Sequence, residues 1–216
     1  MARLKVAVLI SGRGSNLQAL LEAVRTPDYP AEIVQVVSNE ATAPGLAHAE
    51  AADVPAEVVD HRDFKSRPGF EAALNATLTA AGADLIVLAG FMRILTADLV
   101  ESWRDRMINV HPSLLPAFQG SSAVRDALAD GVKITGMTIH YVREAVDDGP
   151  ILAQAAVPVL NGDDVNTLGT RIRALEHALL PTCVARIARG EPDVVGKWVQ
   201  AGEEPQADAY LANPRR

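Results

Sequence analysis

The stretch that decides the fold covers residues 4–16 and reads LKVAVLISGRGSN. Its first seven residues form an apolar run, which predicts a buried strand. The pair Ser11-Gly12 closes that strand, and the leucines that follow, beginning with Leu17, recur at helical spacing. A strand, a tight turn and a helix in this order are typical of the first unit of an α/β fold.

The alternation of strands and helices continues through the first half of the chain. Apolar strands are expected at residues 33–37, 57–59 and 84–89, and helices at 43–52 and 70–81. Strands separated by such helices indicate βαβ units, whose right-handed crossovers place helices on both faces. We therefore expect an α/β fold with a Rossmann-like, mainly parallel twisted sheet.

The pattern changes after residue 109. The elements expected there are a Pro-rich loop over 111–120, a short helix over 123–129 and two β-rich stretches over 135–142 and 151–159. A tight acidic turn, Asp147-Asp148-Gly149-Pro150, joins the two stretches and predicts an antiparallel pair. A long helix follows, with Leu168, Ile172, Leu175 and Leu179 on one face.

Length and composition predict one domain. The chain has 216 residues, of which 49% are hydrophobic and only 4% aromatic, so the core is expected to consist of aliphatic side chains under a parallel sheet. We assign residues 1–190 to this single domain. Residues 191–216 are richer in Pro, Gly and charge, which predicts a loosely packed tail.

Charge and hydropathy narrow the class of protein. A net charge of −7 argues against a general nucleic-acid-binding protein, and no apolar run approaches the roughly 18–20 residues that span a membrane. The N-terminus lacks the cleavage site of a signal peptide, and the single Cys183 cannot form an internal disulfide. We expect a cytoplasmic protein with small-molecule partners, no nucleic acid and no membrane.

The loop Ser11-Gly12-Arg13-Gly14-Ser15-Asn16 predicts a phosphate site. Its glycines permit a sharp turn, and the helix N-terminus that follows offers free N–H groups, so Gly14, Ser15 and Asn16 would hold the phosphate. The dinucleotide fingerprint fails because Leu17 replaces its third glycine, and no Gly-Lys-Ser/Thr follows. A tight βα turn with a helix cap is the simpler alternative.

The most informative segment, residues 108–116, reads INVHPSLLP. Asn109 and His111 are two residues apart on a strand and therefore project from one face at its carboxyl end, where open α/β sheets bind ligands. Thr138 and His140 repeat this spacing before the turn that holds Asp147. An amide and an imidazole can stabilise a carbonyl oxygen that gains charge, and a carboxylate can accept a proton, as acyl transfer to an amine requires.

At this point the chain resembles a known family. The segments SGRGSNLQAL, LAGFMRIL, INVHPSLLPAF, TGMTIHYV, DDGPILAQ and LEHALLP are similar, in this order, to the folate-dependent phosphoribosylglycinamide formyltransferases. The resemblance covers residues 4–190. It implies transfer of a formyl group from 10-formyltetrahydrofolate, the co-substrate, to the amino group of glycinamide ribonucleotide in purine biosynthesis.

The resemblance also implies roles for individual residues. Asn109, His111 and Asp147 would be catalytic, with Thr138 and His140 orienting the acid or its water. Gly14, Ser15 and Asn16 would hold the substrate phosphate, and Glu176 the substrate amine. The folate site would consist of Arg67, Met92, Arg93, Ile94 and Leu95. Without the family, the apolar members of that set would be assigned to the core, and Arg67 and Glu176 to the surface.

The chain departs from the family pattern in one loop. Relatives usually read Phe-Pro-Gly with a His shortly after, whereas Gln119 replaces the proline here and Ser122 the histidine. Formyltetrahydrofolate hydrolase and methionyl-tRNA formyltransferase share the core but carry an extra domain, for which 216 residues leave no room. A nucleotide-binding regulatory module would not need the catalytic trio. We expect no metal site and leave the oligomeric state open, with a weak homodimer as one option.

Overall fold

The computed structural model describes residues 2–201. Its main sheet contains β1 (Leu4–Ile10), β2 (Ala31–Ser38), β3 (Ala56–Val58), β4 (Leu85–Leu88), β5 (Met107–His111), β6 (Ile134–Tyr141) and β7 (Ile151–Pro158). Their spatial order is β3-β2-β1-β4-β5-β6-β7. Strands β1 to β5 are parallel, whereas β6 runs antiparallel to both β5 and β7. The predicted Rossmann-like, mainly parallel sheet with an antiparallel C-terminal part is confirmed.

Helices connect these strands. They are α1 (Ser15–Ala23), α2 (Leu46–Glu50), α3 (Arg67–Ala80), α4 (Ala97–Ser102), α5 (Ala123–Ala129) and α6 (Val165–Ala188), with a short 3-10 helix at His61–Asp63. The helix expected at 43–52 is therefore shorter than predicted, and α4 was not predicted because six residues are too few for a periodic pattern. Within residues 2–201, no helix is long and apolar enough to cross a membrane.

The sheet has a hydrophobic core on each face. Side chains alternate along β1, so Val6, Val8 and Ile10 pack with α1 and α6 in one core. Ala7 and Leu9 point the other way and pack with α3 and the segment around α4. All five are at most 1% exposed. The prediction of helices on both faces is confirmed, and the pattern explains why β1 is apolar at nearly every position.

Capping residues set where the two longest helices begin. Ser66 accepts a hydrogen bond from the N–H of Gly69, so α3 begins at Arg67, three residues before the expected start at Phe70. Asp164 caps α6 by accepting from two backbone N–H groups, and its own N–H donates to the hydroxyl of Thr167. Arg67, expected in a loop, is thus the first residue of a helix.

The chain continues beyond α6 into a small hairpin that was not predicted. Strands β8 (Pro192–Val195) and β9 (Trp198–Ala201) pair antiparallel, and Gly196 turns the chain with a φ of +65°. The ammonium of Lys197 lies 3.0 Å from the carboxylate of Asp148, so the hairpin reaches the turn between β6 and β7. The predicted loose packing of the tail stays a prediction, since residues 202–216 lie outside the described part.

A close approach between two glycines fixes the start of α1. Gly14 immediately precedes α1 with a φ of +71°, and a Cβ there would lie 2.7 Å from the Cα of Gly45. Gly45 precedes α2, and its N–H donates to the carbonyl of Gly12 over 2.9 Å. The predicted phosphate loop therefore packs directly against the turn before α2, and only glycine fits at position 14.

Gly14→Ala is expected to lower the free energy of unfolding by about 2 kcal/mol or more, because left-handed backbone costs a residue with a Cβ roughly 1–2 kcal/mol and the contact with Gly45 adds to it. Gly12→Ala is the matched control, since a Cβ on Gly12 has no atom within 4 Å. It should change stability by no more than about 0.5 kcal/mol. Urea unfolding measures both, and an equal loss in the two variants would contradict this account.

Candidate active site

The phosphate loop lies at the carboxyl end of β1. Ser15 and Asn16 are the first residues of α1, whose first-turn N–H groups have no partner within the helix and face the loop. With the positive end of the helix dipole, these groups make the loop suitable for an anion. The three residues predicted to hold a phosphate, Gly14, Ser15 and Asn16, are thus consecutive at a helix N-terminus.

A buried hydrogen bond connects this loop to the long helix α6. The side-chain amide of Asn16 donates to a carboxylate oxygen of Glu176 over 2.9 Å, and the two residues are only 9% and 6% exposed. Burial raises the pKa of Glu176, and the bond from Asn16 and nearby cations offset this only partly. Glu176 is therefore no surface charge. The sequence placed both residues in the site but did not predict that they touch.

The pairing of β5 with β6 brings the predicted catalytic groups together. Asn109 lies opposite His140 and His111 opposite Thr138, so all four side chains project from one face. Asp147 comes from the turn after β6. One of its oxygens lies 3.3 Å from Nδ1 of His111, and the other accepts from the Asn109 amide over 3.4 Å. Asp147 thus contacts both Asn109 and His111, while the catalytic role of the trio stays a prediction.

His140 is a fourth member of this cluster. Its Nε2 lies 3.5 Å from the second oxygen of Asp147 and 3.1 Å from the Asn109 amide nitrogen. Its Nδ1 lies 3.0 Å from the carbonyl of Tyr141. The side chain is 2% exposed, so bulk water does not compete for these contacts. His140 thus contacts Asp147 directly, which fits the predicted supporting role.

The backbone determines how the two imidazoles can carry protons. A carbonyl oxygen only accepts, so Nδ1 of His140 donates to Tyr141, and Nε2 of His111 donates to Phe118 over 2.8 Å. Each neutral ring therefore has its other nitrogen, the one facing Asp147, without a proton. A second proton on either ring would be shared with this carboxylate. The cluster is built to accept a proton and hold it beside a negative charge.

Thr138 has a different place from the one expected. Its hydroxyl donates to the carbonyl of Ser113 over 2.7 Å and accepts from the N–H of Leu115 and from the amide of Gln154. These partners belong to the loop after β5 and to β7. Thr138 thus holds the Pro-rich loop in place and has no direct contact with Asp147 among the described hydrogen bonds.

Asp147 has a left-handed backbone conformation and a side chain with a lowered pKa. Its φ of +53° is left-handed, a conformation that costs a residue with a Cβ free energy. Burial by itself raises the pKa of Asp147, but the hydrogen bond from the N–H of Gly120, with the hydrogen bond from His140 and the charges of His111 and His140 when these rings are protonated, brings the pKa below its ordinary value. The carboxylate is therefore ionised at neutral pH although its side chain is only 9% exposed.

The two acids of this turn have different partners. Asp147 lies between two histidines, whereas Asp148 pairs with Lys197 at the surface, with 47% and 75% of the side chains exposed. The turn therefore directs the first carboxylate inward and the second outward. The family resemblance implied the inward acid, Asp147, as the catalytic one, and this role stays a prediction.

The loop that departs from the family pattern covers the cluster. His111 donates to the carbonyl of Phe118, the Gln119 amide donates to the carbonyl of Asp147 over 3.1 Å, and the Gly120 N–H donates to the Asp147 carboxylate over 2.8 Å. Three consecutive residues thus each contact His111 or Asp147. Ser122 sits at the N-cap of α5 without a capping hydrogen bond from its side chain.

Three of the residues predicted to bind folate, Arg67, Arg93 and Ile94, line a basic cavity of about 190 Å³. Its lining is His61, Phe64, Lys65, Ser66, Arg67, Phe70, Arg93 and Ile94. Met92 and Ile94 are 65% and 59% exposed, so they are not core residues, whereas Leu95 is 8% exposed and packs in the core beside α3. The N–H of Met92 donates to the hydroxyl of Ser11, which ties this segment to the phosphate loop.

A second cavity of about 520 Å³ shares His61 and Arg93 with the first, and its lining includes Ser11 and Asn39. No motif in the sequence marks His61, because it reaches both cavities only through the fold. In the described part of the chain, no group of three or more His, Cys, Asp or Glu side chains is placed to hold a metal ion.

Comparison with known proteins shows which family the chain belongs to. The model of the family described as "Formyl transferase" matches residues 4–184. The chain belongs to the formyl transferase family. It is 46% identical over 201 residues to the phosphoribosylglycinamide formyltransferase of Mycobacterium tuberculosis. The aligned region covers 93% of this chain and 92% of that protein. The family resemblance predicted from the motifs is confirmed.

Other relatives agree with this assignment. The chain is 47% identical over 186 residues to the human trifunctional purine biosynthetic protein adenosine-3, and it spans about a fifth (18%) of that protein's length. The crystal structure of glycinamide ribonucleotide transformylase 1 from Symbiobacterium toebii superposes with a TM-score of 0.90 at 44% identity, covering 92% of this chain and 94% of that one.

Glu176→Gln is expected to leave the protein at least as stable as the wild type at pH 8. The raised pKa of Glu176 means that folding favours its neutral form, so its contribution to stability is greatest below the ordinary carboxyl pKa of about 4.3 and falls as the pH rises. Glutamine keeps an acceptor for Asn16 and never ionises. The stability difference, Gln variant minus wild type, should grow between pH 5 and pH 8 in urea unfolding. A stability difference that does not change with pH would contradict a raised pKa of Glu176 in the folded protein.

Proposed function

We propose that the chain transfers the formyl group of 10-formyltetrahydrofolate to the amino group of glycinamide ribonucleotide in purine biosynthesis. The observation that carries this proposal is the Asp147 carboxylate between His111 and His140, with the amide of Asn109 beside it. These groups suit acyl transfer to an amine, and they lie at the same edge of the sheet as a phosphate loop. The names of relatives that match this chain over nearly all their length support the same reaction.

In the proposed mechanism the substrate amine attacks the formyl carbon directly. Asn109 and His111 donate hydrogen bonds to the oxygen as it gains negative charge. His111 already donates to the carbonyl of Phe118, an acceptor of the same kind as a formyl oxygen, so the substrate oxygen would take that position. The bond between the formyl carbon and folate N10 then breaks, and N10 gains a proton.

The amine must lose a proton in the same reaction. Asp147 is ionised, lies within 3.5 Å of both imidazoles and can accept this proton directly or through water. We propose that His111 and His140 stabilise the carboxylate before transfer and share the proton afterwards. A positioned acid or base of this kind contributes about 10²–10⁴-fold to a rate.

The two substrates would bind on either side of this cluster. Gly14, Ser15 and Asn16 would bind the ribonucleotide phosphate, and Glu176, held by Asn16, its amine. Arg67 and Arg93 line one cavity and would bind the carboxylates of the folate, while exposed Met92 and Ile94 would contact its apolar part. Leu95 would act from the core by supporting this segment.

The remaining sequence predictions stay part of the proposal. We propose a cytoplasmic enzyme that acts on small molecules without a metal ion, with residues 1–190 as its catalytic domain. Lys65, Arg67 and Arg93 line the cavity of about 190 Å³, which suits a small anionic ligand.

Release of formate from 10-formyltetrahydrofolate is expected to depend on the second substrate. Purified protein is mixed with the folate, with and without glycinamide ribonucleotide, and both formate and formylated ribonucleotide are quantified. We expect formylated product only in the complete mixture and little formate in either. Formate release at the same rate without ribonucleotide would identify a hydrolase and contradict the proposal.

Asp147→Asn is expected to lower kcat by about 10²–10⁴-fold with little change in KM, since the amide keeps the shape of the side chain but cannot accept the proton. Asp148→Asn is the matched control from the same turn. It removes only an exposed pair with Lys197 and should keep kcat within a few fold of the wild type. Steady-state kinetics at pH 7.5 measures both. A severe loss in the Asp148 variant alone would contradict the assignment.

A further inference from the structure

The hydrogen bonds to Asp147 come from two sides of the site. His111, His140 and Asn109 contact the Asp147 carboxylate from the sheet. Gln119 and Gly120 donate hydrogen bonds to Asp147 from the loop. The loop contacts differ in kind. Gly120 donates its N–H to the carboxylate, and Gln119 donates its side-chain amide to the backbone carbonyl of the same residue.

The contact from Gln119 matters because the backbone of Asp147 is left-handed. A residue with a Cβ stays in this region only when its surroundings hold it there. In the part of the chain that the structure describes, the Gln119 amide is the one hydrogen bond that the Asp147 carbonyl receives, at 3.1 Å. The orientation of this carbonyl is set by ψ of Asp147, so the contact restrains the backbone from which the carboxylate projects.

We propose that Gln119 is a positioning residue that holds Asp147 in its productive conformation. The proposal rests on the proposed function above. It also gives a reason for the departure from the Phe-Pro-Gly pattern, because a proline at position 119 has no side-chain donor. In this chain the loop supplies through a side chain a contact that the family pattern does not provide.

Gln119→Met removes the donor and keeps the length of the side chain. We expect kcat to fall about 3- to 10-fold, as for the loss of one neutral hydrogen bond, with the KM of both substrates within about twofold and an unchanged urea midpoint. Gln18→Met is the matched control, since the exposed Gln18 amide donates to Glu22 over the same 3.1 Å. It should behave as the wild type.

Gln119→Lys restores a donor at this position and should recover kcat to within about twofold of the wild type. Three results would overturn the proposal: wild-type kcat in Gln119→Met, a change confined to KM, or no recovery in Gln119→Lys. The split between kcat and KM separates positioning of Asp147 from a role of the loop in substrate binding.

A crystal structure of Gln119→Met beside the wild type tests the proposal independently of the reaction. We expect Asp147 to leave the left-handed region or its carboxylate to move beyond 4 Å from His111. An unchanged Asp147 would overturn the positioning role. If the wild type transfers no formyl group, the proposed function fails, and this structural comparison still decides the role of Gln119.

Discussion

The buried carboxylate of Asp147, held between two imidazoles, is the interaction on which the rest of the site depends. Burial alone would favour the neutral acid, and a neutral acid could not accept a proton. The hydrogen bond from Gly120, and the hydrogen bond and charges that the histidines supply when protonated, reverse this preference and lower the pKa of Asp147. A proton acceptor is thus kept ionised in a place from which water is largely excluded.

The change from parallel to antiparallel pairing makes this arrangement possible. Asn109 and His111 lie in β5, the last of the parallel strands. Because β6 runs antiparallel to β5, its His140 and Thr138 lie directly opposite those two residues. The turn after β6 then returns Asp147 to the same edge. Thr138 uses its position to hold the Pro-rich loop, which in turn covers the cluster.

The substrate side depends on a second buried contact, between Asn16 of α1 and Glu176 of α6. The helices that carry them pack together in one core, so the phosphate loop and the carboxylate are positioned by the same hydrophobic contacts. Keeping Glu176 buried raises its pKa and works against its ionised form. A buried carboxylate of this kind fits the proposed role of Glu176 in binding the substrate amine, since active sites commonly retain groups that lower stability.

The sequence by itself determined the fold class, the family and the identity of the central residues. The apolar run at 4–10, the spacing of Asn109 and His111, and the Asp-x-Gly-Pro turn are local patterns, and local patterns follow from side-chain periodicity and turn chemistry. Only the tertiary structure decided the direct contacts of His140 with Asp147, of Asn16 with Glu176 and of Gln119 with the Asp147 carbonyl. These partners lie 7, 160 and 28 positions apart along the chain, and no local pattern records how separate elements pack.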